Sequence, residues 1–212
     1  MPIEKVVRKG LIKMAGKNKF IGVYDYTVIL TYISLFSSVV GITKASQGAF
    51  TYAVICLWFS GFCDAFDGVI ARTKKNRTED EKGFGIQIDS LCDVICFGIF
   101  PALLCYFMGV NGVIGVAAAF AYCLCAVIRL AFFNVLEANR QKKEDGCAKS
   151  YRGLPVTSIA LIFPVVYCLR FVLPANIFVV VLHVLLLVVA FLFIYDFAVP
   201  KPDWKKILRL PI

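Results

Sequence analysis

Residues 49–71 read AFTYAVICLWFSGFCDAFDGVIA, and residues 85–108 read GIQIDSLCDVICFGIFPALLCYFM. Each stretch is long and apolar enough to form a helix that crosses a bilayer, which takes about 20 residues. A charged side chain inside a bilayer costs about 2.5–3.5 kcal/mol even on a mild insertion scale, so carboxylates within such stretches require an explanation. Each stretch nevertheless contains a pair of aspartates: Asp64 and Asp67, and Asp89 and Asp93.

The rest of the 212-residue chain has the same apolar character. Hydrophobic residues make up 60% of it and charged residues 17%, which leaves too little polar surface for a soluble domain of this size. The composition and the apolar runs predict an all-α integral membrane protein with six transmembrane helices. We place the spans at residues 24–41, 49–71, 85–108, 113–136, 155–172 and 177–199.

The positive charges predict the orientation of these spans. The chain contains 23 Lys and Arg, and all but three lie before the first span, between the second and third, between the fourth and fifth, or after the last. Because cytoplasmic loops are enriched in Lys and Arg, both termini and these loops are expected in the cytoplasm. The three exceptions are Lys44 and Arg170, on the opposite side, and Arg129, within a span.

The two ends of the chain are expected to lie outside the six-helix domain, which we place at residues 23–200. Apolar residues recur at helical spacing within residues 2–15, and Lys and Arg occupy the other face. This pattern predicts that residues 1–22 form an amphipathic helix in the cytoplasmic interface, attracted by anionic membrane lipid. Residues 201–212 are expected to form a cytoplasmic tail. No nucleic-acid partner is expected.

The spacing of the aspartates predicts that they meet. Separations of three and four residues place each pair on one face of its helix. Asp64 and Asp93 each lie eight residues, or about 12 Å, from the cytoplasmic end of their spans, Arg72 and Gly85. If these antiparallel spans are neighbours, Asp64 comes level with Asp93, and Asp67 comes level with Asp89.

Four carboxylates in one apolar pocket require protons, cationic side chains or metal ions to offset their charge. Arg129 is the one cation deep within the predicted spans, because Arg170 lies near the outer end of the fifth, and one cation is too few. Oxygen ligands select hard cations such as Mg²⁺, Mn²⁺ or Ca²⁺. Two alternatives stay open: protonated aspartates with a structural role, and an aspartate relay in a proton-coupled or ion transporter.

Small residues accompany the aspartates. Gly68 and Ala71 share the Asp64 face, and Gly85 lies on the Asp93 face. They would leave room for a bulky ligand near the backbone, or for tight helix packing. Arg72, at the end of the second span, can meet a phosphate with its planar guanidinium.

Together these residues read Asp64-x2-Asp67-Gly68-x2-Ala71-Arg72-x12-Gly85-x3-Asp89-x3-Asp93. This pattern resembles the signature of the CDP-alcohol phosphatidyltransferase family. The resemblance implies six spans with an N-terminal interfacial helix, a homodimer, and two Mg²⁺ or Mn²⁺ ions held by Asp64, Asp67, Asp89 and Asp93. It further implies that Gly68, Ala71, Arg72 and Gly85 contact the CDP portion of a CDP-linked lipid.

Within the family, the run from Asp89 to Gly98, followed by Pro101, is similar to the phosphatidylserine synthase branch, as are the segments Arg129-Leu130-Ala131 and Gly153-Leu154-Pro155. The resemblance implies that the hydroxyl of L-serine attacks the phosphorus of CDP-diacylglycerol at the cytoplasmic face of the cell membrane, with Asp93 as the base and CMP as the leaving group. Candidate contacts to the acceptor or a phosphate are Arg129, Lys149 and Arg152. The alternative acceptors are glycerol 3-phosphate and inositol phosphate.

The remaining unusual residues are given no catalytic part. His183 lies toward the outer half of the sixth span and is interpreted as structural, and Asp196 receives no role. The nine cysteines show no paired CxxC spacing, so we interpret them as reduced packing residues rather than zinc ligands.

Overall fold

The computed structural model describes residues 22, 24–71, 74, 78–142 and 150–200. This part of the chain is helical apart from one short pair of strands. The predicted interfacial helix at residues 1–22 and the tail at 201–212 lie outside the described residues, except for Gly22. The elements are α1 (Ile29–Ser46), α2 (Phe50–Ala71), α3 (Glu79–Asp93), α4 (Phe100–Phe107), α5 (Gly112–Lys142), β1 (Ser150–Arg152), α6 (Ile159–Cys168), α7 (Ala175–Ile194) and β2 (Ala198–Pro200).

Each of the six predicted spans is helical over most of its length. A 3₁₀ turn, Tyr26–Val28, leads into α1, and a π-helical segment, Val94–Ile99, joins α3 and α4 into one rod. 3₁₀ turns also flank α6, at Val156–Ser158 and Leu169–Phe171.

Four of the helical rods are long and apolar enough to cross a membrane: Tyr26–Ser46, Glu81–Phe107, Gly112–Leu136 and Ala175–Ile194. The 22-residue α2 has sufficient length but carries Asp64 and Asp67, and the helix at Val156–Phe171 is apolar but shorter. The count of six spans and the orientation of the termini therefore stay predictions.

Several predicted boundaries were wrong. Helix α1 continues to Ser46 instead of residue 41, and α5 continues to Lys142 instead of residue 136. Two further boundaries have a clear local cause. Residues 79–84 were assigned to a loop, yet α3 begins at Glu79 because Thr78 and Glu81 form a capping box. The Thr78 hydroxyl accepts from the backbone N–H of Glu81, and the Glu81 carboxylate accepts from the backbone N–H of Thr78. These two bonds satisfy N–H groups that the first helical turn otherwise leaves without partners.

The second boundary is the end of the last helix, which was predicted to reach residue 199. Helix α7 ends at Ile194, because Ala198–Pro200 pair with Ser150–Arg152 as a short antiparallel ladder. The backbone N–H of Gly153 extends this contact by donating to the carbonyl of Phe197. The segment after α7 is thereby fastened to the loop before α6.

Close helix contacts depend on two glycines. A Cβ atom at Gly41 of α1 would lie 2.3 Å from Cζ of Phe100, and one at Gly61 of α2 would lie 2.3 Å from Cβ of Ala160. Since real Cβ atoms do not approach so closely, these glycines allow α4 and α6 to pack against their neighbours. Small residues play this part widely in membrane helix packing.

The buried core and the outer surface are both apolar. Phe97, Phe100, Tyr122, Phe163 and Phe193 are fully buried where the helices meet. Large hydrophobic side chains also cover the outside of the described helices, including Phe36, Tyr52, Val113, Phe120 and Phe191. Such a surface suits contact with lipid, where apolar side chains face hydrocarbon and the backbone polar groups are satisfied within each helix.

Candidate active site

The four aspartates predicted from the sequence come together. Helix α2 carries Asp64 and Asp67, and helix α3 carries Asp89 and Asp93, while α1 packs against both helices. The carboxyl groups of Asp64 and Asp93 are within hydrogen-bonding reach of each other, and so are those of Asp67 and Asp89. These are the two pairs that the antiparallel register predicts.

Three of the four aspartates form a set suited to a cation. Asp64, Asp89 and Asp93 each offer a carboxylate oxygen, and these oxygens all lie within 4.8 Å of one another. Asp93 is the most enclosed of them, with 8% of its surface exposed. Oxygen atoms at this spacing, with no nitrogen or sulfur among them, can hold a hard divalent cation.

One buried oxygen atom in this cluster accepts no hydrogen bond from the described residues. Oδ1 of Asp89 is buried and has no hydrogen-bond partner among the described residues. A buried carboxylate oxygen without a partner is costly, and carboxylates brought this close repel unless a proton or a cation lies between them. The donor set and this orphaned atom therefore fit a divalent metal ion.

A hydrogen bond from helix α1 fixes the position of the Asp67 carboxylate. The hydroxyl of Thr31 in α1 donates a hydrogen bond of 3.2 Å to Asp67 Oδ2. Thr31 was not predicted as a site residue, although a polar side chain in an apolar span is a signal that it has a partner. A similar missed contact joins α3 to α5, where Ser90 Oγ donates to Asn134 Oδ1 at 2.7 Å.

A buried network of hydroxyl groups lies one helical turn beyond the aspartates. Ser60 precedes Asp64 by four residues in α2, and its Oγ is 2.6 Å from Ser34 Oγ and 3.0 Å from Ser38 Oγ. Ser34 also donates to the sulfur of Cys96, three residues after Asp93, at 3.7 Å. The network ties α1 and α2 together and extends to the π-helical segment behind the cluster.

The glycines near the cluster lie in different surroundings. Gly68 is exposed, and a Cβ atom there would meet nothing within 4 Å, so the space beside α2 is open at this position. Gly85 is half-buried in the first half of α3, and Ala71 is the last residue of α2. Arg72 lies outside the described residues.

Arg129 contacts the loop before α6. It lies on α5, where its Nε donates to the carbonyl of Leu154 at 3.2 Å. A Cβ atom at Gly153 would be 3.5 Å from the Arg129 Cζ atom, and Asp196 is close enough to act on the charge of the guanidinium. Arg129 therefore has its contacts at the junction of α5, this loop and the segment after α7.

The structure says less about the other two residues predicted to contact the acceptor, Arg152 and Lys149. Arg152 belongs to β1, directly before Gly153. Lys149 lies outside the described residues. The structure thus brings together the four aspartates and places Arg129 beside the Gly153-Leu154-Pro155 segment.

An ion-pair group joins the elements that carry the cluster. Lys74, between α2 and α3, contacts Asp25 at 2.5 Å and Glu81 at 3.4 Å. Asp25 precedes the first helical turn, and Glu81 lies in the first turn of α3. The hydrogen bond from Lys74 to Asp25, together with the charges of both carboxylates, raises the pKa of the Lys74 ammonium above its ordinary value.

An apolar groove lies between α2 and the start of α6. It has a volume of about 360 Å³ and is lined by Gly61, Phe62, Ala65, Pro155 and Leu161, among others. Gly61 and Ala65 flank Asp64 in α2, so the groove borders the helix segment that presents this carboxylate.

The remaining unusual residues have structural contacts. His183 Nδ1 lies 2.8 Å from the carbonyl of Val179 in its own helix, which agrees with a structural role. The eight cysteines within the described residues are all free thiols, and Cys147 lies outside this part of the chain.

Comparisons with known proteins place this site in a family context. A family model described as CDP-alcohol phosphatidyltransferase matches residues 26–195, which include all four aspartates. Among similar proteins, a CDP-diacylglycerol–serine O-phosphatidyltransferase of Saccharomyces cerevisiae is 32% identical over 152 residues, covering 69% of this chain and 54% of the relative.

Two further relatives resemble this chain to a similar degree. The enzyme of the same name from Helicobacter pylori strain 26695 is 34% identical over 147 residues, covering 68% of this chain and 57% of its own. An archaetidylserine synthase of Methanothermobacter thermautotrophicus is 33% identical over 134 residues, covering 63% and 53%. The chain spans little more than half the length of these relatives.

Proposed function

Because the chain belongs to the CDP-alcohol phosphatidyltransferase family, we propose that it transfers a phosphatidyl group from CDP-diacylglycerol to the hydroxyl of L-serine, forming phosphatidylserine and releasing CMP. The observation that carries this proposal is the convergence of Asp64, Asp89 and Asp93 from two helices, with carboxylate oxygens within 4.8 Å of one another.

The cluster suits the donor substrate. Its carboxylates would hold Mg²⁺ or Mn²⁺, in a two-ion site that includes Asp67. When bound, the metal would neutralise the pyrophosphate of the CDP-lipid and offset the charge on the leaving oxygen. The open space at Gly68 leaves room for the CDP portion close to the backbone of α2. Ala71, Arg72 and Gly85 are the further proposed contacts of this portion.

The chemistry requires one carboxylate to accept a proton. The serine hydroxyl oxygen forms a bond to the phosphorus that carries the lipid, the bond from this phosphorus to the CMP oxygen breaks, and the hydroxyl proton passes to Asp93. Asp93 suits the role of base because it is the most enclosed of the four aspartates. Asp64 lies beside it and is placed to orient the Asp93 carboxylate. A general base of this kind contributes about 10²- to 10⁴-fold in rate.

The lipid chains of the donor need an apolar path. The groove between α2 and α6 borders the helix segment of Asp64 and is lined mainly by apolar side chains. We assign it to one acyl chain of CDP-diacylglycerol, because the phosphorus at the cluster and the chains in hydrocarbon belong to one molecule.

Serine is the proposed acceptor because the relatives from yeast and Helicobacter pylori are named for transfer to serine. Arg129, Lys149 and Arg152 are the proposed contacts to the acceptor or a phosphate. Arg129 already lies beside the Gly153–Leu154 backbone, which would fix the direction of its guanidinium. The protein would act as a homodimer with six spans, in the cell membrane, with the aspartates toward the cytoplasm.

The test is a purified-protein assay of CMP release. The full chain in detergent is given CDP-diacylglycerol, Mn²⁺ or Mg²⁺, and one alcohol at a time: L-serine, glycerol 3-phosphate or inositol phosphate. We expect turnover with serine, none in excess chelator, and a loss of about 10²- to 10⁴-fold in Asp93→Asn. Asp25→Asn, at a carboxylate that pairs with Lys74 outside the cluster, is the matched control.

Three outcomes would contradict the proposal. Faster turnover with a phosphorylated alcohol than with serine would show that serine is not the acceptor. Activity in excess chelator would refute the role of the metal. Full activity of Asp93→Asn would remove Asp93 as the base.

A further inference from the structure

The rod that carries Asp89 and Asp93 is interrupted by a wide turn directly after Asp93. Residues Val94–Ile99 form a π-helix, in which the backbone N–H of Phe100 donates to the carbonyl of Ile95, five residues earlier. π-Helical turns are rare, and they occur mostly as single insertions into α-helices, frequently at functional sites. This one separates the aspartates of α3 from the buried helix α4.

Pro101 accounts for the wide turn. Proline has no backbone N–H, and in an α-helix its ring collides with the carbonyl four residues earlier, which here belongs to Phe97. A π-helical turn, whose bonds span five residues instead of four, relieves this collision. Pro101 itself lies in the first turn of α4, where a proline is tolerated. The carbonyl of Phe97 is thereby left without the donor that an α-helix would provide.

Helix α5 supplies donors to two carbonyls of the wide turn. The hydroxyl of Tyr122 donates to the carbonyl of Phe97 at 2.6 Å, and both side chains are fully buried. The neighbouring Cys123 thiol donates to the carbonyl of Gly98 at 3.5 Å. Two adjacent side chains of α5 therefore bond to two adjacent carbonyls of the wide turn, in a region where an unpaired carbonyl would be costly.

The wide turn determines the direction of Asp93 relative to the packed core. After the wide turn, the rotation of α4 about its axis is fixed, because Phe100 packs directly against Gly41 of α1. Each residue of an α-helix turns the chain by about 100°, so one residue more or less between Phe100 and Asp93 would point the carboxylate elsewhere. In the observed register, Asp93 points toward Asp64.

We propose that Tyr122 is a positioning residue for the aspartate cluster. Its hydroxyl replaces the backbone donor that Pro101 lacks, holds the wide turn in place, and so keeps Asp93 directed at Asp64 and the metal site. An effect of Tyr122 on CMP release rests on the proposed function. Its effect on the affinity of the cluster for a divalent ion does not.

The test measures Mn²⁺ binding by the purified full chain, through the electron paramagnetic resonance signal of free Mn²⁺, in parallel with CMP release. Tyr122→Phe, which removes one oxygen atom, should weaken Mn²⁺ binding by about tenfold, the factor that one lost buried hydrogen bond supplies. Tyr167→Phe is the matched control. Tyr167 is also buried, and its hydroxyl bonds to Thr51 and Arg170 instead of the wide turn.

A double-mutant cycle separates positioning from general packing. Pro101→Ala restores the N–H that an α-helical turn would direct at the Phe97 carbonyl, so Tyr122→Phe should cost little further Mn²⁺ affinity in that background. Unchanged Mn²⁺ binding in Tyr122→Phe, or losses that simply add in the double variant, would overturn the inference. Should Tyr122→Phe not be recovered folded, Pro101→Ala is compared with the double variant: equal affinities support the inference and a tenfold difference overturns it.

The two proposals fail in different ways. If the wild-type chain binds Mn²⁺ with the expected pattern among the variants but releases no CMP with any alcohol, the proposed function is wrong and the role of Tyr122 stands. If CMP is released and Tyr122→Phe binds Mn²⁺ like the wild type, the role of Tyr122 is wrong and the function stands.

Discussion

The hydroxyl of Thr31 donates a 3.2 Å hydrogen bond to Asp67, and this contact links the first helix to the aspartates of the second. The cluster therefore draws on three helices, although its carboxylates come from two. Asp67 also contacts Asp89 across the pocket, so the orientation of the Asp67 carboxylate affects the position of Asp89 as well.

Thr31→Val should weaken the metal site while preserving the shape of the side chain. Loss of a residue that orients a metal ligand typically lowers metal affinity or activity by about 10- to 100-fold. The measurement is the Mn²⁺ concentration that gives half-maximal CMP release. Thr43→Val is the control on the same helix, because among the described residues the Thr43 hydroxyl bonds only to the carbonyl of Val39, and Thr43 is exposed. Equal Mn²⁺ requirements in the two variants would contradict a role for Thr31.

Asp89→Asn should have opposite effects on stability with and without metal. In excess chelator, the substitution removes one of four crowded charges and should raise the apparent Tm. In Mn²⁺ at about one hundred times Kd, the wild type should gain about 2.7 kcal/mol from binding, and the variant should gain much less. Thermal unfolding in both conditions provides the measurement.

The matched control is again Asp25→Asn, whose metal-dependent rise in Tm should equal that of the wild type. An Asp89→Asn variant that is destabilised in chelator and stabilised by Mn²⁺ to the wild-type extent would show that Asp89 is not a ligand.

Gly68→Ala should separate ligand contact from folding. A Cβ atom at Gly68 meets nothing within 4 Å, and alanine is favoured over glycine within a helix by about 0.5–1 kcal/mol, so stability should hold or rise. If the CDP portion lies against the backbone there, the KM for CDP-diacylglycerol should rise. Gly83→Ala, in an equally open position of α3, should raise stability with no change in KM. The same KM in both variants would exclude contact of the donor at Gly68.

Lys74→Gln should cause a small, salt-dependent loss of thermal stability. Lys74 joins the start of α1 to the start of α3 through Asp25 and Glu81, and salt screens charges that remain in contact with water. Because the pKa of Lys74 is raised above its ordinary value of 10.5, its contribution is fully present below that value and is lost as the pH rises through the raised pKa.

The measurement is the apparent Tm of the variant and the wild type at low and high salt, at neutral and strongly alkaline pH. The two should converge at high salt and at the alkaline end. Lys44→Gln, at the opposite end of α1, is the charge-matched control. A difference that persists at high salt would attribute the effect of Lys74 to packing.

The local features of the site were predictable from the sequence. Spacings of three and four residues determine which side chains share a helix face, and the rise per residue determines their depth. Asp64 was therefore correctly paired with Asp93, and Asp67 with Asp89. The capping box of Thr78 and Glu81, and Pro101 in the third span, were also present in the sequence, but their effects on the start of α3 and on the wide turn were not predicted.

Other features depend on which helix faces which, and no local pattern contains this information. Thr31 bonds to Asp67, Tyr122 to the carbonyl of Phe97, and Arg129 to the carbonyl of Leu154 only because the folded helices bring these groups together. The sequence by itself determined the helices, their apolar character and the depth of the aspartates, because these follow from neighbours along the chain. The tertiary structure alone decided which groups hold the aspartates in position, because those contacts join distant segments through packing.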